Sequence, residues 1–172
     1  MSQDALSLTP NAVPDDSVIR LSSSVCQQVS IRTEKLSPRQ RQIEANVAIP
    51  CALDQVWSVL TDYEGLAEFV PNLTRSRLLS RPDGGIRLEQ IGAQSFLYFK
   101  VCARVILDMT EVFPREIGFS MVEGDFKKFL GRWSLQPALL GEQTATVLSY
   151  ELIVQPPLAM PVQLIEHHIC HN

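Results

Sequence analysis

The stretch from Val47 to Leu73, VAIPCALDQVWSVLTDYEGLAEFVPNL, decides how the rest of the chain is read. Val47 and Ile49 close a strand, and Pro50 ends it. A helix is predicted over 52–61. Val56, Trp57 and Leu60 fall on one side of it at helical spacing, and Asp54 sits in the first turn, where negative charge suits the helix dipole. Asp62-Tyr63 stops this helix. A second short helix follows over 64–69, turning Leu66, Phe69 and Val70 inward, and Pro71 forbids its continuation.

Upstream, Gln40 to Ile49 alternates as a strand, with Ile43, Ala45, Val47 and Ile49 on one face and Gln42, Glu44 and Asn46 on the other. Residues 1 to about 20 read as a polar tail, and 25–33 alternates weakly, as an edge strand or an ordered arm. Ser37-Pro38 breaks that segment. This gives a tail or arm over 1–37 and one domain over 38–172.

Downstream come strands. Thr74–Arg81 and Ile86–Ile91 flank Pro82-Asp83-Gly84-Gly85, a hairpin turn. Leu97, Phe99, Val101, Ala103, Val105, Leu107 and Met109 form the longest alternation, roughly 50 Å if straight, so that strand must bend. Ile117-Phe119-Met121, Phe129-Gly131-Trp133-Leu135 and Thr146-Leu148-Tyr150-Leu152-Val154 continue the pattern. Pro161 opens a last helix from Val162. The order is strand, two short helices, six or seven antiparallel strands in all, then a helix: an α+β fold with helices on one face of a curved sheet.

Net charge is −4, which argues against a nucleic-acid partner. Arg39/Arg41 and Lys127/Lys128/Arg132 read as solvated strand faces. The four cysteines, Cys26, Cys51, Cys102 and Cys170, have no C-x-x-C pair, so reduced thiols and a cytoplasmic setting are expected. No apolar run is long enough to cross a membrane as a helix, and no secretory signal is visible.

Asp54-x-Val56-Trp57-x-Val59-Leu60-Thr61-Asp62-Tyr63 and Phe69-Val70-Pro71-Asn72-Leu73 resemble the polyketide cyclase/dehydrase and START-like (SRPBCC) superfamily. Within it they are most similar to the coenzyme-Q-binding START-like branch of cyanobacterial and plastid type. Gly124-Asp125-Phe126, Gly131-x-Trp133, Thr146-x-Leu148-x-Tyr150 and Pro161-Val162-x-Leu164-Ile165-Glu166 fit the same pattern, so the likeness covers about 38–172. The resemblance implies a helix-grip fold (START/Bet-v-1-like), in which a curved sheet wraps a C-terminal helix around an apolar cavity. Members bind or carry lipids, quinones, sterols or polyketides, and some cyclise or dehydrate them. The last helix here, roughly 18 Å long, is short for the family. The chain is truncated, or its groove is open, or a protein partner or second copy supplies cover.

The expected ligand-binding residues are Phe69, Phe99, Val101, Phe119, Met121, Trp133, Leu148, Tyr150 and Leu164. A packed core needs the same alternation, so the hollow is an expectation carried by the resemblance. Glu111 and Glu123 continue apolar stripes. Inside a hollow either could be a general acid or hold a ligand hydroxyl; at a strand end each simply meets solvent. Arg104 and Arg132 are either anchors for an acidic head group or solvated surface. His167 and His171 are one turn apart and form a weak candidate metal pair, with a solvated helix end as the plainer reading. No nucleophile elbow or phosphate-binding glycine loop occurs. The leading reading is binding or transfer of a hydrophobic small molecule, without cofactor and with transient membrane contact. A cyclase/dehydratase-type enzyme is the first alternative, and a protein-interaction or assembly module is the second.

Overall fold

A computed structural model of the chain describes residues 18–21, 28–96 and 99–163. The chain enters the sheet through β1 (Ile19–Leu21), β2 (Ser30–Ser37) and β3 (Gln40–Ile49). Two helices follow, α1 (Leu53–Thr61) and α2 (Leu66–Phe69). Six further strands complete it: β4 (Leu73–Leu79), β5 (Ile86–Phe96), β6 (Phe99–Val112), β7 (Glu116–Gly124), β8 (Lys128–Leu140) and β9 (Gln143–Gln155).

The strands run in the order β2-β3-β9-β8-β7-β6-β5-β4, and every neighbour on this path is antiparallel. β1 lies off the path. It pairs parallel with Ala138–Leu140 of β8, beyond the stretch of β8 that β7 covers. Six or seven strands are expected from the alternation, and nine form among the described residues. The difference comes from the segment expected as tail or arm, which contributes Ile19–Leu21 and Ser30–Ser37 to the sheet. The expected last helix lies almost wholly outside the described residues, which end at 163.

α1 forms where the pattern places it. Ala52 caps it, its carbonyl accepting from the Val56 amide at 3.2 Å, and the Gln55 side-chain oxygen reaches back to the Ala52 amide at 3.1 Å. Val56 and Trp57 are buried against β8 and β9. α1 and α2 together link β3, next to one edge of the sheet, to β4 at the other edge.

Residues alternate between an inner face, which carries α1 and the core, and an outer face. Ile43, Leu88, Leu107, Ile117, Phe119, Leu135, Leu152 and Val154 pack on the inner side. The β8–β9 connection is the two-residue turn Gly141-Glu142, and Gly141 takes the left-handed backbone that such turns demand, with φ of 62°.

The outer face is held by charge. Glu89 of β5 accepts from Arg77 of β4 and, at 2.8 Å, from Arg104 of β6. Arg104 in turn donates to Glu123 of β7 at 2.7 Å. Farther along, Arg87 forks onto Asp108 at 2.6 and 3.0 Å, and Arg132 meets Glu151 at 2.9 Å. Arg104 and Arg132 thus belong to outer-face ion pairs.

Candidate functional site

The inner positions of β8 read Phe129, Gly131, Trp133: ring, gap, ring. The gap is used. Phe119 reaches from β7 across Gly131, so that a Cβ there would stand 2.7 Å from the Phe119 ring and would also collide with the Glu151 carbonyl of β9. Only glycine leaves that slot open. Through it, Phe119 touches Phe129 on one side, centroids 5.8 Å apart, and stacks on Tyr150 of β9 on the other, at 6.0 Å with planes 20° apart. Tyr150 pairs directly with Trp133 across the β8–β9 ladder, ring centroids 4.2 Å apart. Phe126 extends the run beyond Phe129 at 5.3 Å. Three strands and the turn between β7 and β8 thus supply one continuous aromatic wall.

The wall is not sealed. Phe119 and Leu148 are buried, whereas Met121, Phe126, Phe129, Trp133 and Tyr150 keep part of their surface accessible while packing against the core. Burial pushes the Tyr150 phenol well above its usual range, so it stays protonated and can donate.

Two strands from Trp133 in the same cross-strand row, at Glu111, the α1–α2 corner is fastened down. Tyr63 is buried, and its hydroxyl donates to Glu111 of β6 at 2.5 Å. Ser76 of β4 donates back to the Tyr63 carbonyl. Burial first, then the hydrogen bond to the Glu111 carboxylate, holds the Tyr63 phenol well above its usual range. Trp57 meets Phe113, in the turn after β6, edge-on at 5.3 Å.

The candidate residues therefore divide. Phe119, Met121, Trp133, Leu148 and Tyr150 come together on one face. Phe69 ends α2 with 55% of its surface exposed, because a single helical turn presents too little length to commit its last residue inward. The side chains of Phe99 and Val101 are not among those described, and Leu164, His167 and His171 lie outside the described residues. Among the described residues no three His, Cys, Asp or Glu side chains gather as a metal site.

Glu123 is displaced from its expected face. The β6–β7 register runs Leu107↔Met121 and then Ile106↔Glu123, so Val122 is an extra residue in β7. That bulge reverses the parity of the strand and turns Glu123 to the outer face, where it pairs with Arg104 and is 66% exposed. Glu111 is an exposed residue at the end of β6, with Tyr63 as its partner. The Gly131 slot and the additional rings Phe126 and Phe129 were not among the candidates. The Phe-x-Gly-x-Trp spacing was their signal, since a glycine between two inward aromatics in a strand marks a close approach.

The model for the polyketide cyclase / dehydrase and lipid transport family matches residues 49–170. Among solved structures, a STAR-related lipid transfer protein from Xanthomonas axonopodis is similar with a TM-score of 0.63 at 13% identity, covering 84% of this chain and 86% of that one. A START superfamily protein from Mycobacterium smegmatis has a TM-score of 0.59 at 19% identity, covering 76% and 90%. The di-domain ARO/CYC BexL from the BE-7585A biosynthetic pathway has a TM-score of 0.56 at 14% identity, covering 80% of this chain and 47% of that one. At these identities the likeness is one of fold, a START/Bet-v-1-like α+β architecture. No curated protein sequence matches the chain.

Proposed function

Because the chain belongs to the polyketide cyclase / dehydrase and lipid transport family, we propose that it binds and transfers a hydrophobic small molecule held against the inner face of its sheet. One observation carries this reading: the aromatic wall of Phe129, Trp133 and Tyr150 is packed on the core side yet keeps accessible surface. Covering what is left exposed on these rings is worth roughly 25 cal/mol per Å² of apolar area. A ligand lying on the wall collects the remainder. Met121, Phe119 and Leu148 border the same surface and belong to the proposed lining, as do Phe99, Val101 and Leu164 by their place in the pattern.

The likeness to the coenzyme-Q-binding branch makes quinones and isoprenoids the first ligands to try, beside acyl lipids. Transient contact with a membrane surface or an apolar partner is part of the same reading. Phe69, Phe113 and Leu158 support it, the last two with 69% and 82% of their surface exposed. No helix among the described residues is long and apolar enough to cross a membrane, and a cytoplasmic setting follows the expected reduced thiols. An enzymatic role has lost one of its two carboxylates, since Glu123 points outward into an ion pair.

Native mass spectrometry of the purified chain, with organic extraction of the same sample, tests the proposal. A co-purifying or exchangeable lipid, quinone or isoprenoid is the expected result. A ligand-free protein that takes up none of these when they are offered would overturn it.

A further inference from the structure

Three turns meet at one end of the sheet. Arg39, between β2 and β3, donates to the Pro157 and Met160 carbonyls at 2.6 and 2.8 Å and so holds the turn that follows β9. The Lys127 amide, between β7 and β8, donates to the Gln155 carbonyl at the end of β9 at 2.8 Å, and Lys128 pairs with Gln155 in the ladder. Two basic stretches far apart in sequence are therefore brought to either side of the end of β9. Lys35 joins them from β2, opposite Arg41.

These charges are unspent. Lys35, Lys127 and Lys128 are exposed, and none of the three is in an ion pair among the described residues. Among the same residues the Arg39 guanidinium bonds only to carbonyls, which leave its charge in place. Against these four cations stand Glu34 and Asp125, and the Asp125 carboxylate accepts from the Arg104 amide at 2.7 Å. The same end carries apolar surface. Leu158, in the turn that Arg39 holds, and Leu36 of β2 are exposed. Phe126, the first ring of the aromatic wall, sits between Asp125 and Lys127.

β3 leads away from this end, running from Arg41 opposite Val154 to Ile49 opposite Thr146. The segment after it, Pro50 to Asn72, carries Asp54, Asp62, Glu64 and Glu68, all exposed, and no lysine or arginine. Phe69 belongs to that acidic segment. Phe113 rests on its Trp57, in a turn where Glu111 and Glu116 outnumber Arg115. The net charge of −4 hides this division. A negatively charged surface repels the acidic segment and attracts the basic end.

Resting on the membrane contact in the function proposed above, we infer that the end of the sheet formed by Leu36, Lys35, Arg39, Lys127, Lys128 and Leu158 docks on an anionic lipid bilayer. The leucines enter the headgroup layer and the lysine ammonium groups lie among the lipid phosphates. Arg39 is a positioning residue, since its two carbonyl bonds present Leu158. Docking here sets Phe126 against the bilayer, with Phe129 and Phe119 behind it, so that an apolar ligand passes from lipid to wall along apolar surface.

Flotation of the full chain with vesicles tests this. Phosphatidylcholine vesicles are compared with vesicles in which about a third of the lipid is phosphatidylglycerol. The expected result is binding to the anionic vesicles only, weakening as NaCl is raised from about 50 to about 500 mM. That readout needs no variant. The double variant Lys127→Gln with Lys128→Gln, at two exposed side chains, is expected to bind the anionic vesicles about tenfold more weakly. Arg115→Gln, beside the acidic segment, should bind as the parent does. Binding that ignores lipid charge and salt, no binding at all, or a loss with Arg115→Gln that matches the lysine pair overturns the docking surface. A change in oligomeric state in the lysine variant, with no vesicle binding by the parent, overturns it in favour of a second copy of the chain. In each of these cases a ligand found by native mass spectrometry leaves the carrier reading standing. Binding to anionic vesicles by a chain that takes up no apolar ligand keeps the docking surface and removes the carrier reading.

Discussion

Leu88 and Glu89 are neighbours in β5, with 1% and 4% of their surface exposed, and opposite physics holds them there. Leu88 joins the inner core, where burial is non-directional and its strength scales with area. Glu89 is pinned on the outer face by guanidinium groups from both adjacent strands. The contrast extends over the sheet. The outer face is a lattice of directional, charge-assisted bonds that leave no latitude in the position of a strand. The inner face is held by apolar contact, which tolerates unfilled surface. A sheet kept in shape from outside can leave its inside open.

Removing inner packing should have the largest effect. Trp57→Ala takes away the buried ring that joins α1 to the sheet and is expected to cost about 3–5 kcal/mol, read from urea unfolding. A loss under about 1 kcal/mol would mean that α1 contributes little to the inner face. Gly131→Ala, which forces a methyl into the Phe119 slot and against the Glu151 carbonyl, is expected to cost roughly 2–3 kcal/mol. Its near-ultraviolet circular dichroism should also change, because the ring run through Phe119 is disturbed; an unaltered spectrum would count against the slot. Tyr63→Phe removes a buried donor to a carboxylate and should cost about 1.5 kcal/mol. Equal stability of the variant and the parent would show that the corner is held by packing alone.

The outer lattice answers to pH instead. Arg77 first, and Arg104 with it, hold the Glu89 carboxyl below its usual range. The folded state therefore binds this proton less readily than the unfolded chain, whose glutamates titrate near about 4.3. The stabilisation is fully present above that value and is lost as pH falls through the lower folded value. Thermal unfolding followed from pH 6 to pH 3 should show a steeper loss for the parent than for Glu89→Gln. Parallel curves would break the assignment. The smallest effect is expected at Arg132→Gln, about 0.5 kcal/mol or less, because that pair is solvent-exposed.

Much of the fold was legible in the chain because period two and period 3.6 are local signals. The strand before Pro50, the helix carrying Val56 and Trp57, and the alternation through β9 all lie where the pattern puts them. β1 was not legible: three residues carry no period, and its parallel pairing with β8 is decided in three dimensions. Glu123 was misplaced because parity counting assumes an unbroken register, and the extra residue Val122 leaves no mark in composition. The two tyrosines show the same boundary within the site. Both read as aromatic positions in apolar segments, but only the fold gives Tyr63 a carboxylate and sets Tyr150 between Trp133 and Phe119.

The placement of β3 beside β9 has a consequence for synthesis. Gln42 and Glu151, which meet across that seam, are 109 residues apart. A nascent chain emerging from the ribosome makes β3 early and its inner neighbour last. Through most of translation Ile43 and the apolar side of α1 have no sheet to lie on, and contacts of such long sequence separation form slowly. A chain that stops before Gln143 lacks β9 and leaves Ile43 without its neighbour Leu152.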